Sequence, residues 1–207
     1  LKPIYDLAKI KRVIVSTYQA VSGAGKEGID ELDAQVRDHS EGREMTANIL
    51  PSASAEKHYP IAFNLIPQID VFCDNLYTKE EMKMVNETKK IMEDYEMRIT
   101  ATTIRVPVYR SHSESVNIEL EKEVDLGAMR EALAKFPGVT VQDDPSKQEY
   151  PMPLYTSEKD DVYVGRLRRD ESCEKSYNIW VVGDQIRKGA ALNTLQIAET
   201  MIKNGWI

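Results

Sequence analysis

Cysteine is almost absent from this chain: Cys73 and Cys173 are the only two in 207 residues. Two thiols make no disulfide framework, which excludes a cross-linked secreted scaffold and makes a reducing cytoplasm the simplest setting. Cys73, beside Phe72 in an apolar segment, reads as a packing residue, and Cys173 as an exposed turn residue. No apolar run approaches the roughly 20 residues that a membrane-spanning helix needs, and no secretory signal is visible. Basic charge is also short. Lys and Arg number 27 against 34 Asp and Glu, for a formal net charge of -7. The densest basic stretch, Arg166-Leu-Arg-Arg169, is flanked by acids and reads as a solvated strand rim. Binding to nucleic acid through phosphate neutralisation is therefore not expected. A nucleotide fingerprint is missing too. No GxGxxG follows a strand, and Ser22-Gly-Ala-Gly-Lys-Glu-Gly28 lacks the spacing of a phosphate-binding loop. That stretch reads as a flexible lead-in to the helix after it. No metal site is expected.

What is present is an ordinary globular balance of apolar and charged residues, enough for one sizeable domain over 1–207. Residues 1–9 read as the end of a helix and 12–19 as a strand. A helix follows with Ile29, Leu32 and Val36 on one face. From His39 to Pro60 periodicity vanishes, and a long surface loop is expected, of the kind that serves as lid or partner contact. Thr78 and Glu81 form a capping box, opening a helix whose inner face carries Met84, Thr88, Ile91 and Met92. Residues 98–110 and 114–121 read as one adjacent strand pair, 161–169 and 176–182 as another, with Asp170–Glu174 as the hairpin turn. Asp125–Phe136 has helical spacing ended by Pro137-Gly138, and Val139–Val141 is a short strand. A last helix carries the stripe Ala191, Leu195, Ala198 and Ile202, expected to pack on the sheet. Strands in pairs with helices between them indicate an α+β fold. Its sheet is expected to be mixed, largely antiparallel and covered by helices on one face, not doubly wound.

The chemistry concentrates in Arg105-Val-Pro-Val-Tyr-Arg-Ser-His112, at the end of the apolar run Ile99–Ile104. A guanidinium grips a planar anion with a fork of donors, and an imidazole moves a proton. The two are seven apart, which on one unbroken strand puts them on opposite faces. Joint action requires a break between them, and Pro107, which cannot donate to a ladder, marks where one is expected. Taken alone, a histidine at a strand end is more often a satisfied polar residue than a catalyst. Glu80 and Lys83, three apart on the capped helix, read first as a surface ion pair, and second as a cleft-facing pair for a zwitterionic or phosphorylated ligand.

Five segments in order carry a resemblance: Ser16–Gly25, Phe63–Gln68, Tyr77–Met84, Arg105–Glu119 and Lys188–Leu195. Together they resemble the C-terminal catalytic and dimerisation domain of the aspartate-semialdehyde dehydrogenase family. The resemblance implies the sheet architecture of glyceraldehyde-3-phosphate-dehydrogenase-type enzymes. It also implies NADPH-dependent reduction of L-aspartyl 4-phosphate through a cysteine thioester, in lysine, threonine and methionine biosynthesis, by a homodimer or homotetramer. By the same resemblance His112 is the general acid/base and Gln19 orients the acyl group. Arg105 binds the substrate carboxylate, Glu80 its ammonium and Lys83 its phosphate, while Asn193 lies near the nicotinamide. A protonated histidine beside the thiol would also lower the thiol pKa. The family's cysteine motif has no counterpart here and would fall before Leu1; its nucleotide-binding domain has none either, so NADP is expected to be held mainly elsewhere. The loop over 40–58 matches no family pattern. Two other readings compete. A reductase of N-acetylglutamyl phosphate is disfavoured by Glu80, since an acetylated amine needs no carboxylate partner. A non-catalytic assembly module is disfavoured by His112 and Arg105.

Overall fold

The computed structural model describes all 207 residues. Its strands are β1 (Ile10–Gln19), β2 (Arg98–Arg105), β3 (His112–Leu120), β4 (Val139–Val141), β5 (Val162–Arg169) and β6 (Ser176–Gly183). They form one sheet in the order β2-β1-β3-β6-β5-β4. The pairs β1–β3, β3–β6 and β5–β6 are antiparallel, and β1–β2 and β4–β5 are parallel. The fold is thus α+β with a mixed, largely antiparallel sheet. The β5–β6 hairpin turns through 170–175 as its sequence requires. The other expected pair does not form: β2 and β3 flank β1 and do not touch. The link between them crosses the end of β1, where Val106 N donates to Gln19 O and Val21 N to Val108 O.

Alternation along the strands sorts the residues into two faces. Val13, Val15, Thr17 and Gln19 of β1 are buried, while Arg12, Ile14, Ser16 and Tyr18 are half-exposed. Across the register Val15 meets Val116, and Val116 meets Ile179, on the buried face. Helices α1 (Lys2–Leu7), α3 (Lys79–Met92) and α4 (Leu126–Ala134) cover that face, contributing Ile4, Met84, Met92, Met129 and Leu133 to its core. Each fully buried Val, Leu or Ile there contributes roughly 1.5–3 kcal/mol. The opposite face is more open, with Trp180 tilted against Tyr18 at 5.7 Å.

Helix α2 (Lys26–Ser40) packs instead on a 3-10 helix, Val21–Ala24. These elements and the loop share a second, smaller core of Val21, Leu32, Leu50, Ile61, Ala62 and Ile66. The stretch after β1 is therefore no flexible lead-in, since the apolar side chain of Val21 and two backbone bonds to 108–109 hold it down. Two helix faces differ from expectation. Ile91 of α3 is 75% exposed, and Val36 of α2 lies at its surface. The stripe on α6 (Leu192–Lys203) does not pack on the sheet either. Leu195 is 63% and Ile202 65% exposed, because α6 leaves the sheet through Arg187–Ala191 and touches no strand closely. The short α5 (Pro153–Thr156) lies beside β6. No helix is long and apolar enough to cross a membrane, and both cysteines are unpaired.

Candidate active site

Strand order resolves the odd spacing of Arg105 and His112. Arg105 ends β2 and pairs in parallel register with Gln19, the last residue of β1. His112 begins β3, one step beyond the Tyr18–Ser113 pair, which sets it beside Gln19 on the same face. Three neighbouring strand ends thus deliver Arg105, Gln19 and His112 to one side of the sheet. The required break lies between the strands, and its last residue, buried Ser111, turns the chain with a φ of 68°.

The Arg105 side chain is 2% exposed. Its Nη1 donates to Ala20 O at 2.8 Å, and its Nε and Nη2 donate to Pro51 O at 3.4 and 3.3 Å. No carboxylate forms an ion pair with it. One N–H on each terminal nitrogen remains without a protein acceptor, leaving two donors for an anion. Burial lowers the guanidinium pKa to about 10, against a raising influence from Glu80, so it stays charged at neutral pH. Its backbone is clamped as well, exchanging both hydrogen bonds with Ile66.

The His112 Nδ1 accepts from Ala20 N at 3.1 Å. That bond fixes the tautomer with its proton on Nε2. Burial, and then the Arg105 charge, lower its pKa to about 3, against a smaller raising influence from Asp184. The imidazole is therefore neutral at pH 7 and presents an Nε2–H donor. Burial first, and the Arg105 charge second, thus work against the imidazolium that would activate a thiol. Asp184 is fully buried and accepts from Arg110 Nη2 at 2.8 Å, Glu158 N at 2.7 Å and Ile186 N at 3.0 Å. A hollow of about 200 Å³ opens beside His112, bordered by Glu114, Asp184, Gln185 and Lys188. A larger cavity of about 350 Å³, mostly apolar, runs along the same face between α1, α3 and α4.

Glu80 and Lys83 reach the cluster from α3. Gln19 Nε2 donates to Glu80 Oε1 at 3.4 Å, and Lys83 Nζ lies 3.6 Å from Glu80 Oε2 with over half its side chain exposed. The helix start is fixed by Thr78 and Glu81. The Glu81 carboxylate accepts from Thr78 N and also from Thr103 N of β2, tying α3 to the strand that bears Arg105. Asn193 sits half-buried on α6 and forms no hydrogen bond with these residues.

Other residues belong to the site without any local signal in the sequence. A Cβ added at Gly23 would lie 2.7 Å from Arg105 Nη1 and 3.5 Å from the His112 ring. Gly23 in the glycine-rich stretch thus allows close packing against a cation and an imidazole. Pro51, inside the unassigned loop, supplies a carbonyl to Arg105. Neither cysteine joins them. Cys173 lies in the β5–β6 turn, at the far end of the sheet from His112, and Cys73 lies in the turn before α3.

The chain is 52% identical over 207 residues to the aspartate-semialdehyde dehydrogenase of Aquifex aeolicus, and 49% identical over 204 residues to that of Bacillus subtilis. In both cases it spans 59% of the relative's length. Among solved structures, aspartate semialdehyde dehydrogenase II from Vibrio cholerae superposes with a TM-score of 0.90 at 44% identity, over 98% of this chain and 58% of that one. That protein has also been solved in complex with ASA. The profile of the semialdehyde dehydrogenase dimerisation domain matches residues 1–188. The chain belongs to that family, the semialdehyde dehydrogenase dimerisation domain.

Proposed function

We propose that this chain is the substrate-binding and dimerisation domain of a protein that reduces L-aspartyl 4-phosphate to L-aspartate 4-semialdehyde with NADPH, in the cytoplasmic biosynthesis of lysine, threonine and methionine. One observation carries the reading. A buried, charged guanidinium with no carboxylate partner shares a sheet face with a neutral histidine and with a glutamine bonded to Glu80. A buried cation costs stability unless an anion compensates it, and two carbonyls compensate it only in part. The α-carboxylate of the substrate completes the set.

The other groups follow in charge order. Glu80 faces the ammonium, Lys83 the phosphate, and Gln19 the acyl oxygen between them. Specificity then rests on matching three charges in sequence. The thiolate that attacks the acyl carbon, displacing phosphate, is supplied by the remainder of the protein. His112 Nε2–H donates to the oxygen and sulfur on which charge develops as the thioester forms and is cleaved. The residues of this chain do not by themselves fit a dinucleotide. Gly23 of the glycine-rich turn is packed against Arg105, and Asn193 is a single residue on a largely exposed helix. Cofactor binding is accordingly assigned to the rest of the protein. The open sheet face, with Ile14, Tyr18 and Trp180 half-exposed, is the surface we assign to self-association.

The test is NADPH oxidation by the full-length protein, offered L-aspartyl 4-phosphate and N-acetyl-L-glutamyl phosphate in parallel. Turnover of the first alone is expected. Comparable turnover of the acetylated compound would remove the role given to Glu80, and turnover of neither would end the proposal.

A further inference from the structure

The loop over 46–62 is irregular, yet two side chains of α2 hold it at six points. The Gln35 amide, with no exposed surface, donates to Thr46 O at 2.8 Å and accepts from Ile61 N at 2.8 Å and Ala62 N at 3.0 Å. It pinches the two ends of the loop together. One helical turn earlier, the Glu31 carboxylate accepts from three consecutive backbone amides: Asn48 N at 2.6 Å, Ile49 N at 2.9 Å and Leu50 N at 3.1 Å. Glu31 is itself buried, and a carboxylate on backbone amides makes charge-assisted bonds roughly twice as strong as neutral ones. The next residue after these three is Pro51, whose carbonyl receives two N–H groups of Arg105. Among the hydrogen bonds, this carbonyl is the loop's link to Arg105. A surface loop needing only to be covered would not place a buried acid against three amides immediately before that carbonyl.

We propose that Glu31 is a positioning residue. By fixing residues 48–50 it sets the Pro51 carbonyl, which orients the Arg105 fork toward the substrate carboxylate, so carboxylate specificity depends on an acid that never meets substrate. The inference rests on the carboxylate-binding role assigned to Arg105 above. It gives the 46–62 loop a function as the rigid back wall of the anion site.

The experiment is steady-state kinetics on the full-length protein, comparing Glu31→Gln, Arg105→Lys and the double variant. Glu31→Gln keeps the shape and removes the charge on the three amides. It is expected to raise KM for the acyl phosphate about tenfold with kcat within about twofold, the split that lost ground-state binding produces. In the Arg105→Lys background the same substitution should add less than about twofold, because residues acting in series are not additive. If Glu31→Gln is not recovered folded, Glu31→Asp takes its place. It keeps the charge but withdraws the carboxylate by one methylene, and about a threefold rise in KM is expected. A raised KM in Arg105→Lys with an unchanged KM in the Glu31 variant overturns this inference alone. Full additivity of the two substitutions overturns it as well, by making Glu31 merely structural. An unchanged KM in Arg105→Lys overturns the site assignment and this inference with it.

Discussion

Gly23→Ala tests the packing of the site with one methyl group. Gly23 is not at positive φ, so alanine fits its backbone. The added Cβ would lie 2.7 Å from Arg105 Nη1, and ordinary contact requires the guanidinium to retreat by about 0.7 Å. The tip of an exposed arginine would simply swing away. Arg105 is buried and tied by three of its N–H groups to Ala20 and Pro51, so the shift misaligns the two N–H groups left for substrate. Losing one charge-assisted bond to a carboxylate costs about 1.5–3 kcal/mol, or roughly 10- to 150-fold in binding. In the full-length protein KM for the acyl phosphate should rise within that range, with kcat changed far less. Gly25→Ala is the control. Its φ is 82° and its ψ −170°, a region nearly reserved to glycine, and its Cβ would meet nothing, so about 1–3 kcal/mol of backbone strain should lower stability while KM stays fixed. A KM within twofold of the parent for Gly23→Ala, in folded protein, would refute the placement of the guanidinium.

Arg105→Lys should raise KM about a hundredfold in the same assay while the fold survives, since a point charge replaces a fork that two carbonyls had aligned. Glu81→Ala should cost about 2–4 kcal/mol in denaturant unfolding, because it removes a capping box and leaves the buried Thr103 N–H without its acceptor; a loss below 1 kcal/mol would show that α3 is not anchored to β2 this way. His112 has a folded pKa of about 3 against an ordinary 6.5. Between those values the unfolded chain binds a proton that the folded one refuses, so stability falls as pH drops, by at most about 1.4 kcal/mol per pH unit. His112→Gln removes this contribution. The difference in unfolding free energy between parent and variant should change from pH 6.5 down to 3 and be constant above pH 7; parallel curves would show that the imidazole is not buried neutral.

The sheet class was legible because β-branched runs and turn residues act locally, and the capping box at Thr78 and Glu81 was legible for the same reason. Strand neighbours were not. The residues 98–121 look like a hairpin, since nothing local reveals that β1 will slip between β2 and β3. The apolar stripe on α6 misled because periodicity reports which face is apolar, not what covers it. The candidate residues Arg105 and His112 stand out by type, and the residues supporting them do not. Gly23 looked like a loop glycine, Pro51 contributes only its backbone, and Glu31 reads as one more acid on an acidic helix. Each owes its place to a contact far along the chain: Gly23 with Arg105, Pro51 with Arg105, Glu31 with Leu50.

The two perturbed groups of the site are coupled. Burial is the larger cause of the low His112 pKa, and the Arg105 charge is the next. An anion bound to the free edge of Arg105 cancels much of that charge where His112 feels it. The imidazole pKa should therefore rise on carboxylate binding, toward but not reaching 6.5, because burial persists. The same electrostatics that keep His112 neutral in the free protein would then ease its protonation once substrate is seated, at the expense of the Ala20 N–H bond to Nδ1. Nitrogen-15 spectra of the full-length protein, titrated with and without a saturating unreactive amino dicarboxylate, report this directly. The expected result is a higher His112 pKa with ligand present in the parent, and a smaller rise in Arg105→Lys. An equal or lower pKa with ligand bound would mean that desolvation by the ligand outweighs neutralisation of Arg105, and that the two residues do not act as a pair.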